Sequence, residues 1–377
     1  MKVLACIFAA AITVVGCEGL GGGAEPTPEV VELNLGDPTG NTETEVTDGN
    51  PADEEVEDEP VPDGMYRSEL TNEIISEDLK DQRPVAIMVD NETYAFPHIG
   101  LNKADVVYEV MNSTANGRIT RLMCLVKDWK NIEQFGSVRS TRPTNFMLAG
   151  DWNAILCHDG GPVIYINSFV AKDYTDNLSG GFARFSNGKA TEFTEYVTYG
   201  GYKNPKTGKT YAGLASRIAK EGLSTTYNGY YQGQGFRFSS TDYTPAGTAA
   251  SRIALPFPHN SSQLAYNAAT GTYDYYEYGS AHKDAALGIQ TTFKNVILIS
   301  CSYVKLDKNG YLVYNILGNG PGYYITNGSC TPINWSKNAD CAHTVYTNAA
   351  GAMINLNPGK TYIAIVPSDV WNQVVIQ

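Results

Sequence analysis

Two neighbouring segments concentrate the side chains that hold or transform anions. Arg139-Ser140-Thr141-Arg142 follows Gly136-Ser137-Val138, and one helix-length further on His158-Asp159 precedes Gly160-Gly161. Guanidinium forks bind carboxylate or phosphate bidentately. In an extended segment alternate side chains point to opposite sides, which puts Arg139 and Thr141 on one side and Ser140 and Arg142 on the other. Further polar residues sit within or at the ends of apolar runs: Asp90 and Asn91, Glu109, and Arg121. Loops at strand ends are where a scaffold presents its polar chemistry. The candidate ligand-binding set is therefore Asp90, Asn91, Glu109, Arg121, Arg139, Ser140, Arg142, His158 and Asp159, converging on one cleft that takes a wall-polymer phosphate or a peptide carboxylate. The competing arrangement buries Arg121, Arg139 and Arg142 in structural ion pairs with Asp90, Glu109 and Asp159, because buried arginines are usually paired.

A hydrolytic reading draws on the same residues. Ser140 with His158 and Asp159 or Asp90 supplies nucleophile, base and orienter, and Asp90 with Glu109 is a carboxylate pair for acid–base work. Against it, adjacent His158 and Asp159 point oppositely on a strand, and no Gly-x-Ser-x-Gly elbow surrounds Ser140. A binding or scaffold module is the first reading, an envelope hydrolase acting on an anionic or glycan substrate is the alternative, and whether the protein is an enzyme stays open. His282 and Asp284 share one face if extended, but no His-Glu-x-x-His pattern accompanies them, so no metal is assigned. No glycine loop that cradles phosphate precedes a helix, so no cofactor is assigned either.

The elements that must position these groups are mostly strands. Runs at 83–91, 104–110 and 119–126 are short, β-branched and bounded by turn residues, which places them in one sheet. A helix at 145–150 and a strand at 153–157 then deliver His158. Gly, Asn and Tyr dominate 167–248, where the one clear helix, 211–222, is closed by Gly222. Beyond 251 strands prevail, at 262–266, 272–278, 292–300, 311–317, 322–325 and 359–366, with turns at Asn309-Gly310, Asn327-Gly328 and Pro358-Gly359. The pattern predicts an α+β body in two parts, an N-terminal α+β domain at 81–250 and a β-rich C-terminal domain at 251–377.

The chain's first segment sets its location. One lysine and an apolar run too short to span a bilayer predict a signal peptide at 1–16. It ends in Val14-Val15-Gly16-Cys17, which resembles the lipobox of bacterial lipoproteins and implies lipidation of Cys17. A disordered acidic tether over 17–80 follows, since residues 18–64 hold fifteen Asp or Glu and no Lys or Arg. Of the net charge of −13, this stretch contributes −15 and Lys2 +1, leaving +1 for 65–377. The body thus lacks the basic surplus a nucleic-acid partner requires. The expected partners are the membrane, through lipid on Cys17, and an envelope polymer or envelope protein, with the body on the extracytoplasmic side of the cell membrane. Five cysteines remain outside the signal and lipobox: Cys124, Cys157, Cys301, Cys330 and Cys341. Cys330 and Cys341 flank a Trp335-containing stretch and are the candidate disulfide, while the others read as buried thiols.

Several motifs in one order resemble the YerB-like family of bacterial lipoproteins of unknown function. They are Arg83-Pro84-Val85-Ala86-Ile87-Met88-Val89-Asp90-Asn91, Gly100-Leu101-Asn102-Lys103-Ala104-Asp105, Ile119-Thr120-Arg121 and Val138-Arg139-Ser140-Thr141-Arg142-Pro143. In the second half Gly279, His282-Lys283-Asp284, Asn295-Val296-Ile297, Trp335 and Asn357-Pro358-Gly359-Lys360 look like that family's C-terminal domain. The resemblance implies an α+β layered sandwich of mixed β-sheets with few helices on one side, and an envelope location, but no activity. It departs at Ala190-Thr191-Glu192-Phe193, where such proteins often carry a Pro-His-Asn segment.

Overall fold

Runs of Val, Ile, Leu and Met free of turn residues form strands buried on both faces. In a computed structural model that describes residues 60–377, eleven strands join in one mixed sheet. The expected signal peptide, the expected lipidation site Cys17 and the expected tether as far as residue 59 lie outside the described residues.

The strands of this sheet and the three α-helices are labelled in chain order. From the first half come β1 (Val85–Asp90), β2 (Val106–Met111), β3 (Thr120–Val126), α1 (Pro143–Gly150), β4 (Ile155–His158), α2 (Val163–Val170), β5 (Asp176–Ser179) and α3 (Leu214–Lys220). The second half adds β6 (Thr248–Ala249), β7 (Asn295–Cys301), β8 (Gly318–Thr326), β9 (Ser329–Lys337), β10 (Val345–Thr347) and β11 (Thr361–Pro367). The spatial order is β6-β9-β8-β7-β11-β2-β3-β1-β4-β5, with β10 on β9. Because β11 lies parallel to both β7 and β2, one sheet runs through strands from either side of residue 250.

Alternation along the strands sorts their side chains into two cores. Val85, Ile87, Val107, Leu122 and Cys124 face a second, six-stranded sheet, packing with its Leu264, Tyr273 and Tyr275 and with Leu214 and Ile218 of α3. Ala86, Met88, Tyr108, Met123 and Leu125 face the other way, onto Phe146 and Leu148 of α1, Ile166 of α2, Trp152 and Trp335. The architecture is the α+β sandwich expected, with the large sheet mixed and the six-stranded sheet antiparallel throughout. The helices, however, cover both faces of the large sheet, because α3 packs opposite α1 and α2.

Three local expectations need correction. The body begins before residue 81: Met65–Arg67 pairs with Ile74–Ser76, and Leu70 between them is fully buried. Acidic residues thin out there while Tyr66, Leu70, Ile74 and Ile75 appear, which gives the segment apolar surface to bury. The second concerns the helices: beyond those expected at 145–150 and 211–222 there is α2, whose Val163, Ile164 and Ile166 are β-branched and weak helix formers, and which forms behind Pro162 by packing on α1. The third is the disulfide: Cys330 and Cys341 are both free thiols. Cys330 is near the start of β9 and Cys341 lies beyond its end, and the intervening seven residues of extended strand, at about 3.3 Å each, hold the sulfurs far apart. Alkylation of the denatured, unreduced chain should therefore label Cys330 and Cys341 along with Cys124, Cys157 and Cys301; a mass showing two of them blocked would contradict this arrangement.

Candidate functional site

In the antiparallel pairing of β1 with β3, Asp90 stands opposite Arg121. Both have the parity of Met88 and Met123, so both emerge on the face that carries α1 and α2. Arg142 is the N-cap of α1, where Pro143 occupies the first helical position and the Arg142 N–H donates to Asn145 Oδ1 at 3.0 Å. Between them the chain from Ser137 to Arg142 is not a regular strand. Val138 bridges to Val89, the Arg139 N–H donates to the Met88 carbonyl, and the Thr141 N–H donates to the Gly160 carbonyl. The strict alternation expected for this segment therefore fails: Arg139 and Arg142 line the same cleft, and Thr141 is buried. That cleft is open to solvent, has a volume of about 920 Å³, and is lined also by Asp90, Asn112, Arg121, Lys189 and Tyr311.

Its charges are unevenly partnered. Arg139 Nε lies 2.7 Å from Asp90 Oδ2 and its Nη2 donates to Glu192 Oε2 at 2.8 Å. Burial opposes the Arg139 charge, yet these two carboxylates hold its pKa above the usual guanidinium value. Asp90 Oδ1 also accepts the Glu92 N–H at 3.1 Å. Arg121 is left with the Ser140 carbonyl at 2.5 Å. Arg142 donates from Nε to the Asn112 carbonyl at 3.2 Å and from Nη1 to the Thr141 carbonyl at 2.7 Å, while its guanidinium lies 4.6 Å from the centre of the Tyr311 ring. Neither arginine has a carboxylate within ion-pair distance among the described residues. Burial pulls Arg121 down to about 10 against the pull of Asp90, and burial with the neighbouring Arg121 pulls Arg142 to about 9. Both remain cationic at neutral pH. Lys189 donates to the Ala95 and Phe96 carbonyls at 2.9 and 2.7 Å, adding a further cation at the rim.

The other sequence candidates lie elsewhere. Glu109 has the opposite parity from Asp90 and is buried between the two sheets, where Oε1 accepts from Thr120 and Ser262 at 2.7 Å and Oε2 accepts from Tyr275 and Tyr362. The large sheet thus separates the two carboxylates, and no Asp90/Glu109 pair forms. Asn91 joins the Glu109 side, donating to Thr120 Oγ1 at 2.9 Å and to Glu277 Oε1 at 2.5 Å. Burial, and then the nearby Glu109, push the Glu277 pKa up; Glu109 is itself raised by burial. Ser140 contributes its carbonyl to Arg121. His158 is buried with Nδ1 2.8 Å from the Gly160 carbonyl and Nε2 3.3 Å from Asn177 Oδ1, so neither nitrogen is directed at the Ser140 hydroxyl. Asp159 lies 3.3 Å from Arg184, which also binds Glu195 at 2.7 Å. The nucleophile–base–orienter arrangement is thus not assembled.

Asn112, Lys189, Glu192 and Tyr311 were not singled out by sequence, although Glu192 falls in the segment where the resemblance departs. Tyr311 follows the Asn309-Gly310 turn, whose strength was legible. Gly310 has φ +80° and a Cβ there would stand 2.7 Å from Ser113 Oγ, so the turn presses closely on the cleft wall. Among the described residues no group of three or more His, Cys, Asp or Glu is placed to hold a metal ion.

Residues 70–224 match the N-terminal domain, and 253–363 the C-terminal domain, of a family described as a protein of unknown function (DUF3048). The chain belongs to this family. It is 24% identical over 304 residues to the putative lipoprotein YerB of Bacillus subtilis (strain 168), covering 80% of this chain and 86% of that one. The crystal structure of the YerB protein from Bacillus subtilis superposes with a TM-score of 0.67 at 20% identity, over 83% of this chain and 99% of that one, and so shares the fold.

Two consequences follow for this DUF3048 protein. Asp90 is only 2% exposed, so Arg139→Ala leaves a buried carboxylate without its cation and should destabilise the fold by about 1–3 kcal/mol, read by urea denaturation. The second concerns His98, whose Nε2 must donate to the Asp90 carbonyl at 2.7 Å because a carbonyl only accepts; His98 Nδ1 then accepts from His282 Nε2 at 2.9 Å. Burial holds this neutral ring down to about 4, from an ordinary 6.5. Between those values the unfolded chain takes up a proton that the folded one refuses, so His98's contribution is intact above pH 6.5 and lost as pH falls towards 4. His98→Gln, which keeps a donor for the carbonyl, should flatten the dependence of stability on pH in that window by up to about 1.4 kcal/mol per unit. Denaturation curves for both proteins at matched pH values check it, and parallel slopes would refute it.

Proposed function

We propose that this protein is a lipid-anchored binding module of the cell envelope that holds an anionic ligand in the cleft between Arg121 and Arg142. The observation that carries the reading is the mismatch of partners: Asp90 and Glu192 pair with Arg139, while Arg121 and Arg142 donate to carbonyls, have no carboxylate within ion-pair distance among the described residues, and face an open cavity. Partly buried cations without counter-charges bind an incoming anion more strongly than surface cations do, because less water must be displaced and the local dielectric is lower. The lining as a whole sets Arg121, Arg139, Arg142 and Lys189 against Asp90, Glu92 and Glu192, a surplus of one positive charge. An envelope polymer or an envelope protein carrying anionic groups suits such a site.

The anchoring part of the reading is supported by the Cys17 motif and by the description of its Bacillus relative as a putative lipoprotein. Cys17→Ser should move the chain from the membrane fraction to the soluble one on fractionation, and unchanged sedimentation with membranes would sink the anchor. For the cleft, Arg142→Lys replaces a planar fork by a point charge and should weaken binding of inorganic phosphate about tenfold by calorimetry, with the thermal melt preserved. Unaltered phosphate affinity in a folded Arg142→Lys protein would remove this site from consideration.

A further inference from the structure

Beside the two arginines sits a polar group with nothing to bind. Asn112 is 7% exposed, lines the cleft, and its Oδ1 is buried without a hydrogen-bond partner; its Nδ2 makes no hydrogen bond to the described residues either. Its main-chain carbonyl is the acceptor of Arg142 Nε at 3.2 Å, and both residues line the same cleft. Buried amide groups are nearly always hydrogen-bonded, and one left unpaired costs free energy until a partner arrives. A side-chain amide sets an acceptor oxygen beside an NH2 group with two donors, the complement of a hydroxyl, which donates and accepts from one oxygen.

The cations narrow the anion. Arg121 comes from β3 and Arg142 from the start of α1, so their forks approach from different elements. A carboxylate presents both oxygens in one plane, to one fork. The oxygens of a phosphate diverge tetrahedrally and serve two forks at once. Tyr311, stacked on Arg142, and Tyr94, 74% exposed at the rim, add aromatic faces of the kind on which C–H surfaces of a sugar or polyol rest. At about 920 Å³ the cleft also has room for more than a phosphate ion.

Building on the anion-binding reading above, we propose that the ligand is a phosphorylated polyol or sugar, its phosphate bridged by Arg121 and Arg142 and a neighbouring hydroxyl read by the Asn112 side chain. That chemistry is common to a repeat unit of a polyol-phosphate polymer and to a small soluble ester.

The test is calorimetry on the full chain in detergent with three probes: inorganic phosphate, glycerol 3-phosphate and a short glycerol-phosphate oligomer. Glycerol 3-phosphate should bind about tenfold more tightly than inorganic phosphate, the worth of one good hydrogen bond. Asn112→Ala should bring it down to the level of inorganic phosphate and leave inorganic phosphate itself unchanged. Tighter binding of the oligomer than of the monomer supports the proposal with a polymer as source; equal binding of the two supports it with a small ester. Equal affinities of the intact protein for inorganic phosphate and glycerol 3-phosphate overturn the polyol assignment while the anion site stands, and this ratio needs no variant to fold. An Asn112→Ala protein that weakens every probe alike overturns it too, since the amide then only shapes the cleft. If no probe binds the folded chain, the anion-binding reading falls and the polyol with it.

Discussion

The contact between Arg139 Nε and the Asp90 carboxylate, at 2.7 Å, decides the electrostatics of the cleft. Asp90 stands opposite Arg121 in the β1–β3 register and is the carboxylate nearest in sequence pairing to neutralise it. Its Oδ2 pairs with Arg139 and its Oδ1 accepts the Glu92 N–H, while Arg121 donates to the Ser140 carbonyl. Had Asp90 bridged Arg121 and Arg139, Arg142 alone would remain unmatched. As built, two largely buried cations share one opening, and burial together with a neighbouring guanidinium, Arg139 beside Arg121 and Arg121 beside Arg142, opposes the charge of each.

Register makes that distribution possible. A strand changes face at every residue, so a shift by one would send Asp90 and Arg121 into the apolar layer between the sheets and bring Glu109 out. Glu109 instead collects four hydroxyl donors from Thr120, Ser262, Tyr275 and Tyr362, beside Glu277 and the His282–His98 pair. The two polar assemblies lie on opposite faces of the same strands. They touch through the backbone of Asp90, whose carbonyl receives His98 while its side chain receives Arg139.

The order of strands ties the halves of the chain together. β11, near the C-terminus, is hydrogen-bonded on one edge to β2 and on the other to β7. Tyr362 on that strand reaches Glu109, and Tyr311 from the same half closes over Arg142. The cleft and the buried network both require residues that the chain brings back from far away, so neither half furnishes them alone.

Apolar, β-branched runs by themselves determined that this is a strand-rich α+β protein, since residues such as Val85, Ile87 and Val107 have few other ways to leave water. They also located β1 to β4 and α1 within a few residues. Arg121, Arg139 and Arg142 could be named as candidates because guanidinium forks suit anions and these residues stand at the ends of apolar runs. What the sequence could not contain was the partner of each charge. The irregular path from Ser137 to Arg142 put Arg139 and Arg142 on one cleft where alternation separates them, and parity that is visible along β2 does not say which layer Glu109 will meet. Asn112, Lys189 and Tyr311 are ordinary residues in a linear reading, and α2 and β9 carried no decisive local signal. Their roles come from contacts across the sheet order, because burial and pairing depend on what lies opposite in space, and that is fixed only when distant strands are brought side by side.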